Sequence, residues 1–492
     1  MKKAIFTFCM AVMATLALNA TESYTGPITV SVGSVTQTAE VTVTVIEQGN
    51  GLYELDLEVP VFNFGTMKMY DVPAATSGDI TVYSAERYVA TAIYGNLRTV
   101  LVARTVDGMM TANVTLPDHN GTMWFNTVGD HFQLPNSNLE DWDSSYENEP
   151  ARWHGFKSAT GTWAWAAPAT LEKSQNIHAG ATGQYSAVIT AKSAFGTIAN
   201  GTMTNGRLNA GATSATSTSN NASMQESNGS DFYVPLYAKP DQFKVWMKYE
   251  QGAPVDTNRA NVSVKTFNGT YYQEPCDKEY TNLSGSIVGG QIAPCDWTQF
   301  TFPFDYRSYS ANHAISKAIF VTFSTNKNPG KGQANDKLFI DDMELVYLAD
   351  MVDVRYKNNI IEGWDPAVTT YNMEIAGEPN LDDFSYSYDG ESAVCTKSME
   401  QNADGSYRIA ITVVSADLQT ATCYVINATV ATPSMRGDVD GNGIINISDV
   451  TMLISFALNG SGNIIELNAD MDGNGVINIS DITLLITLCL NN

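Results

Sequence analysis

Two twelve-residue segments near the end of the chain carry acidic and amide side chains at matching positions. They run from Asp438 to Asp449 and from Asp470 to Asp481, and they align without a gap. A calcium ion takes six to eight oxygen ligands, and a loop of this length supplies them from positions 1, 3, 5, 7, 9 and 12. The pattern therefore predicts two calcium ions, one in each loop.

The ligands of each predicted site follow from those positions. Side-chain oxygens are expected from each of these six loop positions except position 7, which offers its backbone carbonyl oxygen. The side chain at position 9 binds the ion directly or through a water molecule. The first loop supplies Asp438, Asp440, Asn442, Ile444, Asn446 and Asp449, and the second supplies Asp470, Asp472, Asn474, Val476, Asn478 and Asp481. Gly443 and Gly475 occupy the sharp turn, where a residue with a Cβ is strained.

An amphipathic helix is predicted after each loop, because apolar residues recur there at the spacing of one buried helix face. These residues are Val450, Leu453, Ile454, Ala457 and Leu458 after the first loop, and Ile482, Leu485, Ile486, Cys489 and Leu490 after the second. Such short helices are marginal alone in water. Their folding is therefore expected to depend on mutual packing and on the bound metal.

A duplicated loop followed by one helix, closed by Asp rather than Glu, resembles a type I dockerin over residues 436–490. The resemblance implies docking onto a cohesin-like protein domain, recognised in part by the residue pair before each closing Asp. Those pairs are Ile447-Ser448 and Ile479-Ser480. Because the two pairs are identical, the resemblance implies that the partner can bind in two orientations related by a half-turn.

The chain departs from the dockerin pattern later in each helix. Many dockerins carry basic residues there, whereas this chain has Ile454-Ser455 and Ile486-Thr487. The partner is therefore expected to be an unusual cohesin. The alternative is that the module serves only as a calcium-stabilised cap.

The charge balance and the first residues bear on partners and location. The chain has 27 Lys+Arg against 52 Asp+Glu, a net charge of −25, which disfavours nucleic acid and anionic membranes as partners. Residues 1–20 have the form of a secretory signal, with Lys2 and Lys3 ahead of an apolar run. That run is too short for a confident membrane span, so membrane insertion is not expected. We expect a secreted protein, in the periplasm or at the exterior of a Gram-negative bacterium.

Five cysteines follow the predicted signal. They are Cys276, Cys295, Cys395, Cys423 and Cys489. An oxidising compartment permits the pairs Cys276–Cys295 and Cys395–Cys423, and buried free thiols are the alternative.

The body of the chain predicts three consecutive antiparallel β-sandwich or barrel domains, ahead of a small helical calcium-binding module at residues 435–492. Over residues 24–117, apolar and polar side chains alternate in short runs such as Ile28/Val30/Val32, which predicts a small barrel. With its opening Tyr24-Thr25-Gly26, this segment resembles the calycin-like domains of gut Bacteroidetes and sets a first domain at residues 21–118. Such barrels hold an apolar ligand in some cases, but a packed interior is the expectation here.

The second predicted domain covers residues 130–348. Its start at Leu134-Pro-Asn-Ser-Asn-Leu-Glu140 and its closing strand Leu338–Tyr347 are similar to the "putative carbohydrate metabolism" domain of Bacteroidetes, a jelly-roll-like sandwich. The Asp341-Asp342 pair in that strand also resembles the last strand of jelly-roll carbohydrate-binding modules. Residues 197–230, rich in Ser, Thr, Asn, Ala and Gly, predict a long exposed loop. A third domain at residues 350–432 looks like a cadherin-like or immunoglobulin-like spacer.

Tryptophans of the second domain are candidates for binding a polysaccharide or oligosaccharide. Aromatic rings stack on the C–H faces of sugars, although filling the core is the commoner role of a single Trp. The candidates are Trp163 and Trp165, predicted on one face of a strand, and Trp246, predicted on the less apolar face of its strand.

No catalytic residue is assigned from the sequence, which contains no G-x-S-x-G, H-E-x-x-H or P-loop motif. A glycosidase needs only two suitably spaced carboxylates, for which Glu140, Asp141, Asp143 and Glu172 are candidates. We therefore expect a glycan-binding protein that acts in polysaccharide capture or catabolism and is docked through its calcium module. The alternatives are a carbohydrate-active hydrolase carried by the same module, and a structural surface or adhesion scaffold.

Overall fold

The structure is a computed structural model. It describes residues 21–77, 79–127, 129, 131–143, 149–194, 196–224, 232, 234–431, 435–460 and 462–491, so the predicted signal at residues 1–20 lies outside it. The protein is mainly β, with a barrel and several sheets, and ends in a helical region, which confirms the predicted fold class. One compact unit comprises the residues up to Thr127 with Thr396–Ser398, and the remainder of the chain forms the other.

The first unit is a closed antiparallel barrel in which each strand pairs with the next and the last pairs with the first. Its strands are β1 (Thr21–Val32), β2 (Val35–Gly49), β3 (Leu52–Val59), β4 (Gly65–Ser77), β5 (Ile80–Thr91), β6 (Gly95–Val106), β7 (Met109–Leu116) and β8 (Gly121–Asn126). Inward side chains such as Ile28 and Phe125 form the barrel core, and a cavity of about 550 Å³ is lined by Tyr24, Tyr53, Tyr83 and other barrel residues. Because β8 pairs with β1, the barrel extends beyond the predicted boundary at residue 118.

The second unit begins with one ten-stranded sheet and several smaller sheets of two or three strands. These are β9 (Trp142–Asp143), β10 (Glu149–Pro150), β11 (Leu171–Ser174), β12 (Ser186–Thr190), β13 (Lys192–Ala194), β14 (Thr197–Ala199), β15 (Thr202–Thr204), β16 (Arg207–Ala210), β17 (Asn220–Ser223), β18 (Gln242–Glu250), β19 (Ala260–Phe267), β20 (Gln273–Glu274), β21 (Leu283–Ile287), β22 (Gln291–Ile292), β23 (Cys295–Asp305), β24 (Ala318–Ser324) and β25 (Lys337–Val346). The main sheet runs in the order β11-β12-β25-β18-β23-β21-β19-β24-β15. Its two halves share one core, in which Phe323 of β24 contacts both Phe243 of β18 and the fully buried Trp153.

Residues 197–224 correct one prediction from composition. The sequence predicts a long exposed loop there, but this part contains β14 to β17, and β15 pairs with β24 in the main sheet. Met203, Leu208, Ala222 and Met224 are buried. The prediction was wrong because these strands are short and combine small polar residues with only single apolar ones. Their sequence therefore lacks the alternating apolar pattern by which a strand is recognised.

The third group of strands forms two smaller sheets around a separate core. They are β26 (Asp350–Tyr356), β27 (Asn359–Ile360), β28 (Thr370–Ile375), β29 (Phe384–Asp389), β30 (Val394–Gln401), β31 (Tyr407–Val414) and β32 (Ala421–Val430). The sheets run β27-β26-β29 and β28-β32-β31-β30, with β28 parallel to β32. Cys276, Cys295 and Cys489 carry free thiols, so the possible Cys276–Cys295 disulfide is not formed, and the Cys395–Cys423 pair stays a prediction.

The chain ends in three helices, α1 (Ile447–Asn459), α2 (Glu466–Ala469) and α3 (Ile479–Asn491). Val450 and Leu453 of α1 pack against Ile482 and Leu485 of α3, as the apolar spacing predicts, and all four are buried. The prediction was wrong for the other large apolar residues of the same series, because the contact between the two helices is narrower than the apolar face. The exposed residues are Ile454, Leu458, Ile486 and Leu490. Asn446 caps α1, and Gly460 ends it in the left-handed conformation that glycine adopts at low cost. Among the described residues, no helix has the length and apolar character needed to cross a membrane.

Candidate functional site

Three aspartates come together in each C-terminal loop. One carboxylate oxygen each from Asp438, Asp440 and Asp449 lies within 4.8 Å of the others, and Asp470, Asp472 and Asp481 form the equivalent group. The first and last aspartate of each loop are at most 4% exposed. Each loop therefore concentrates negative charge in a small, mostly buried volume.

Local backbone contacts place the closing aspartate of each loop. Asp449 is the third residue of α1, and its Oδ1 accepts from the Val439 N–H at 2.7 Å while its Oδ2 accepts from the Asn446 N–H at 2.8 Å. Asp481 accepts from the backbone of Met471 and Asn478 at 2.8 Å in each case. The first turn of each helix thus directs a carboxylate into the preceding loop.

The opening aspartate of each loop is held by the sharp turn. Asp438 accepts from the backbone N–H groups of Asn442 at 3.0 Å and Gly443 at 2.9 Å. Gly443 and Gly475 have φ of 84° and 79°, a left-handed conformation that strains other residues. The turn geometry therefore explains why glycine occupies this position in both loops.

The position-9 residues have a second role. Asn446 and Asn478 lie where each helix begins, and their Oδ1 atoms accept from the N–H of Ser448 at 2.7 Å and of Ser480 at 2.8 Å. Their amide groups also donate to the carbonyl oxygens of Ile444 and Val476. The structure thus brings the aspartates of each loop together, while the asparagines connect the loop to its helix.

The residues of both loops fit a calcium ion. Buried carboxylates this close together are costly unless a cation compensates them. Within the described part of the chain, none of the six aspartates pairs with a Lys or Arg side chain. Every side-chain donor is a carboxylate or amide oxygen, the ligand type that calcium prefers.

The outer face of each helix is apolar and exposed at equivalent positions. Ile447 and Ile479 are each 72% exposed, and Leu458 and Leu490 are 79% and 81% exposed. Ile454 and Ile486, where the sequence lacks the basic residues of many dockerins, are 36% and 38% exposed. With the exposed Ser448 and Ser480 beside them, these side chains form two matching stripes, which we call the paired apolar stripes.

Trp163 and Trp165 lie beside a large cavity in the second unit. The predicted strand at this position is wrong, because Ala164–Ala166 form a single 3₁₀ turn that begins at Trp163. The turn nevertheless stacks the two rings, with centroids 6.4 Å apart and planes 27° apart. Trp163 lines a cavity of about 470 Å³, and Trp165 is 81% exposed.

The cavity is lined by amides, hydroxyls and small apolar groups. β19 and β24 contribute polar side chains, and β16 and β17 contribute Leu208, Asn209 and Asn221. Glu274 is the only acidic residue among the described lining residues, and its Oε1 accepts from Ser263 Oγ and Tyr272 Oη at 2.9 Å each. Sequence reasoning missed most of this lining because much of it lies in residues 197–230, interpreted as a loop.

Trp246 is placed away from this cavity. It is half-buried on the alternating polar face of β18, and its ring stacks on His178 at 4.1 Å with planes 3° apart. Asp341 lies directly opposite on β25. Burial and the nearby Asp342 raise the pKa of Asp341 to about 7.

Glu140 and Glu172, two of the four acids that the sequence offers as candidates for hydrolysis, are held by contacts outside the cavity. Glu140 accepts from the backbone N–H groups of Gln184 and Tyr185 at 2.9 and 2.8 Å. Glu172 forms an ion pair with Lys192 at 3.2 Å. Both side chains therefore have structural partners, and neither lines the cavity.

Comparison with known families identifies the C-terminal region. Residues 436–488 match the dockerin type I domain. Dockerin type I domains bind calcium and dock onto cohesin partners, and proteins that carry them are typically extracellular or at the cell surface. No curated protein matches the chain significantly.

Several solved structures align with the chain at low similarity. A candidate glycoside hydrolase from Bacteroides thetaiotaomicron is 15% identical and has a TM-score of 0.31, covering 67% of this chain and 98% of its own. A xylan-binding CBM22-1 domain from Paenibacillus barcinonensis is 14% identical with a TM-score of 0.19, covering 41% and 98%. A candidate outer membrane protein from Bacteroides fragilis is 9% identical with a TM-score of 0.18, covering 63% and 98%. At these TM-scores the alignments identify no function, so the dockerin match is what the comparisons establish about this chain.

Proposed function

We propose that this protein binds a glycan through its second unit and is attached by its calcium-loaded C-terminal module to a cohesin-like domain outside the cytoplasm of a Gram-negative bacterium. The observation that carries the proposal is the pair of equivalent buried aspartate clusters in the segment that matches a dockerin. The signal-like residues 1–20 support export.

Two calcium ions are proposed, one for each loop. Asp438, Asp440 and Asp449 would hold the first, and Asp470, Asp472 and Asp481 the second. Asn442, Asn474 and the carbonyls of Ile444 and Val476 complete the proposed oxygen donors, and Asn446 and Asn478 would contribute through water because their side chains cap the helices. Bound calcium would neutralise the buried carboxylates and stabilise the packing of α1 against α3.

The paired apolar stripes are the proposed cohesin-binding surface. Exposed apolar side chains grouped on one helix face are typical of protein interaction sites. Each stripe combines Ile447 or Ile479 with a Leu near the end of the same helix, and their near-equal exposures support binding in two orientations. We propose that the partner presents an apolar surface, since Ile454 and Ile486 replace basic residues.

The cavity beside Trp163 is the proposed glycan site. Its volume of about 470 Å³ lies in the usual range for small-molecule sites. Trp163 offers an aromatic face to a sugar ring, while Asn209, Asn221 and Asn261 offer amides to its hydroxyl groups. Two-carboxylate glycoside hydrolysis needs a second acid about 5–9.5 Å from the first. Glu274 is the only acidic residue among the described lining residues. This supports glycan binding over glycoside hydrolysis.

Replacing Trp163 by Ala is expected to weaken glycan binding about tenfold, since losing the stacking surface costs about 1.4 kcal/mol. The full-length chain would be mixed with a panel of insoluble polysaccharides, and protein depletion from the supernatant would be measured. Trp246→Phe is the matched control and should bind like wild type, because Trp246 lies away from the cavity.

New reducing ends would be measured in the same tubes. Depletion without new ends supports a binding protein. New ends that vanish in Glu274→Gln would replace this proposal with hydrolysis. Depletion that persists in Trp163→Ala but fails in Trp246→Phe would contradict the proposed position of the site.

A further inference from the structure

A second group of metal-ligating side chains lies in the second unit, away from the C-terminal loops. His178 follows β11, and Asp341 and Asp342 are consecutive residues of β25. One ligand atom from each of the three lies within 4.8 Å of the others. None of these residues belongs to the cavity or to the calcium loops.

A β-bulge places the two consecutive aspartates in this group. Lys244 of β18 pairs with Glu344, but Trp246 pairs with Asp341, so Asp342 and Met343 together face the single residue between them on β18. Asp342 has φ of 40°, in the left-handed region that is uncommon for a residue inside a strand. A bulge of this kind redirects side chains that would otherwise point to opposite faces.

The group contains an uncompensated buried acceptor. Asp341 is 2% exposed, and its Oδ1 accepts from the Asp342 N–H at 2.9 Å. Its Oδ2 is buried with no hydrogen-bond partner. Within the described part of the chain, neither aspartate pairs with Lys or Arg. A buried carboxylate oxygen left in this state is costly, and a cation bound beside it would remove that cost.

The histidine is held in the orientation that metal-binding histidines adopt. Its Nδ1 lies 3.0 Å from the Ala179 carbonyl oxygen, which can only accept, so Nδ1 carries the hydrogen. Its Nε2 lies 2.8 Å from Asp342 Oδ2. In the neutral ring, Nε2 therefore directs its lone pair at a carboxylate. A metal-ligating histidine commonly donates its other N–H to a carbonyl in the same way.

We propose that His178 Nε2, Asp341 and Asp342 bind one divalent transition-metal ion of the zinc type. An imidazole nitrogen with two carboxylates is a usual donor set for zinc, whereas calcium takes oxygen ligands. Two carboxylates and a neutral imidazole balance the charge of such an ion. The ion would join the segment after β11 to β25, beneath the ring of Trp246.

The test is a zinc titration of the full-length chain after metal removal, with both C-terminal loops first saturated with calcium. Bound zinc would be counted by elemental analysis, and the affinity measured by calorimetry. We expect one zinc ion per wild-type chain and at least tenfold weaker binding in Asp341→Asn and in His178→Gln. Glu344→Gln is the matched control, an exposed acid on the same strand, and should bind zinc like wild type.

Two further readouts separate metal binding from general loss of structure. Zinc should raise the melting temperature of wild type and of Glu344→Gln but not of Asp341→Asn or His178→Gln, each confirmed as folded by circular dichroism. Cobalt in place of zinc should give visible absorption typical of mixed nitrogen and oxygen ligation. Absence of zinc binding, equal binding in the folded variants, or displacement of the zinc by millimolar calcium would overturn the proposal.

Discussion

Removing calcium is expected to unfold the C-terminal helical module while leaving the barrel strands intact. At free calcium about a thousandfold above Kd, each site contributes about 4 kcal/mol to the stability of the folded module. Helices of this length have little stability of their own, and chelation leaves buried carboxylates uncompensated. Amide hydrogen exchange should therefore show loss of protection over α1 and α3 when calcium is chelated, with β6 unchanged.

Single substitutions should reproduce part of this effect in the presence of calcium. Asp449→Asn removes one negative charge and replaces a carboxylate oxygen, which accepts from backbone N–H groups, by an amide that cannot accept. The lost hydrogen bond should lower the free energy of unfolding of the module by about 1–3 kcal/mol. Glu466→Gln, an exposed acid of α2 outside both loops, is the matched control and should change protection very little. Helices that stay equally protected in chelator would show that metal and folding are not coupled here.

Loss of docking is expected only when both paired apolar stripes are altered. Because the stripes are equivalent, Ile447→Asp should leave the second orientation available and reduce affinity only about twofold, or about 0.4 kcal/mol. Ile479→Asp should behave in the same way. The double variant buries a charge in either orientation and should lose at least about a hundredfold, or about 2.7 kcal/mol.

The measurement is binding of the full-length chain to a panel of recombinant cohesin domains in calcium, by biolayer interferometry. Asn463→Asp, an exposed polar position between α1 and α2 and outside both stripes, controls for the added charge. A single variant that abolishes binding would show that one orientation is used. Wild-type affinity in the double variant, or no binding by wild type to any cohesin, would contradict the docking surface.

The C-terminal module could be predicted from the sequence almost residue by residue, because its chemistry is local. Asp438 and Asp449 are eleven positions apart, and one sharp turn with one helix start brings them together. The apolar spacing likewise predicts the burial of Leu453 and Leu485, but it wrongly predicts the burial of Ile454 and Leu458. The sequence did not predict that Asn446 serves as the helix cap.

The cavity and the histidine group could not be predicted in this way, because distant segments build them. Asn209, Asn261 and Glu274 come from three different strands in two separate sheets, and only the packing of those sheets brings them to one surface. His178 and Asp342 are separated by more than 160 positions in the chain. The β-bulge that turns the Asp342 side chain toward His178 leaves no recognisable pattern in the sequence. Spacing along the chain contains none of this information.

Equilibrium dialysis of the full-length chain would count its bound calcium and show whether the C-terminal loops hold two ions. We expect two ions per wild-type chain, one in Asp449→Asn, and none in the Asp449→Asn/Asp481→Asn double variant. Fewer than two ions in wild type, or calcium retained by the double variant, would contradict the proposal of one calcium ion in each loop.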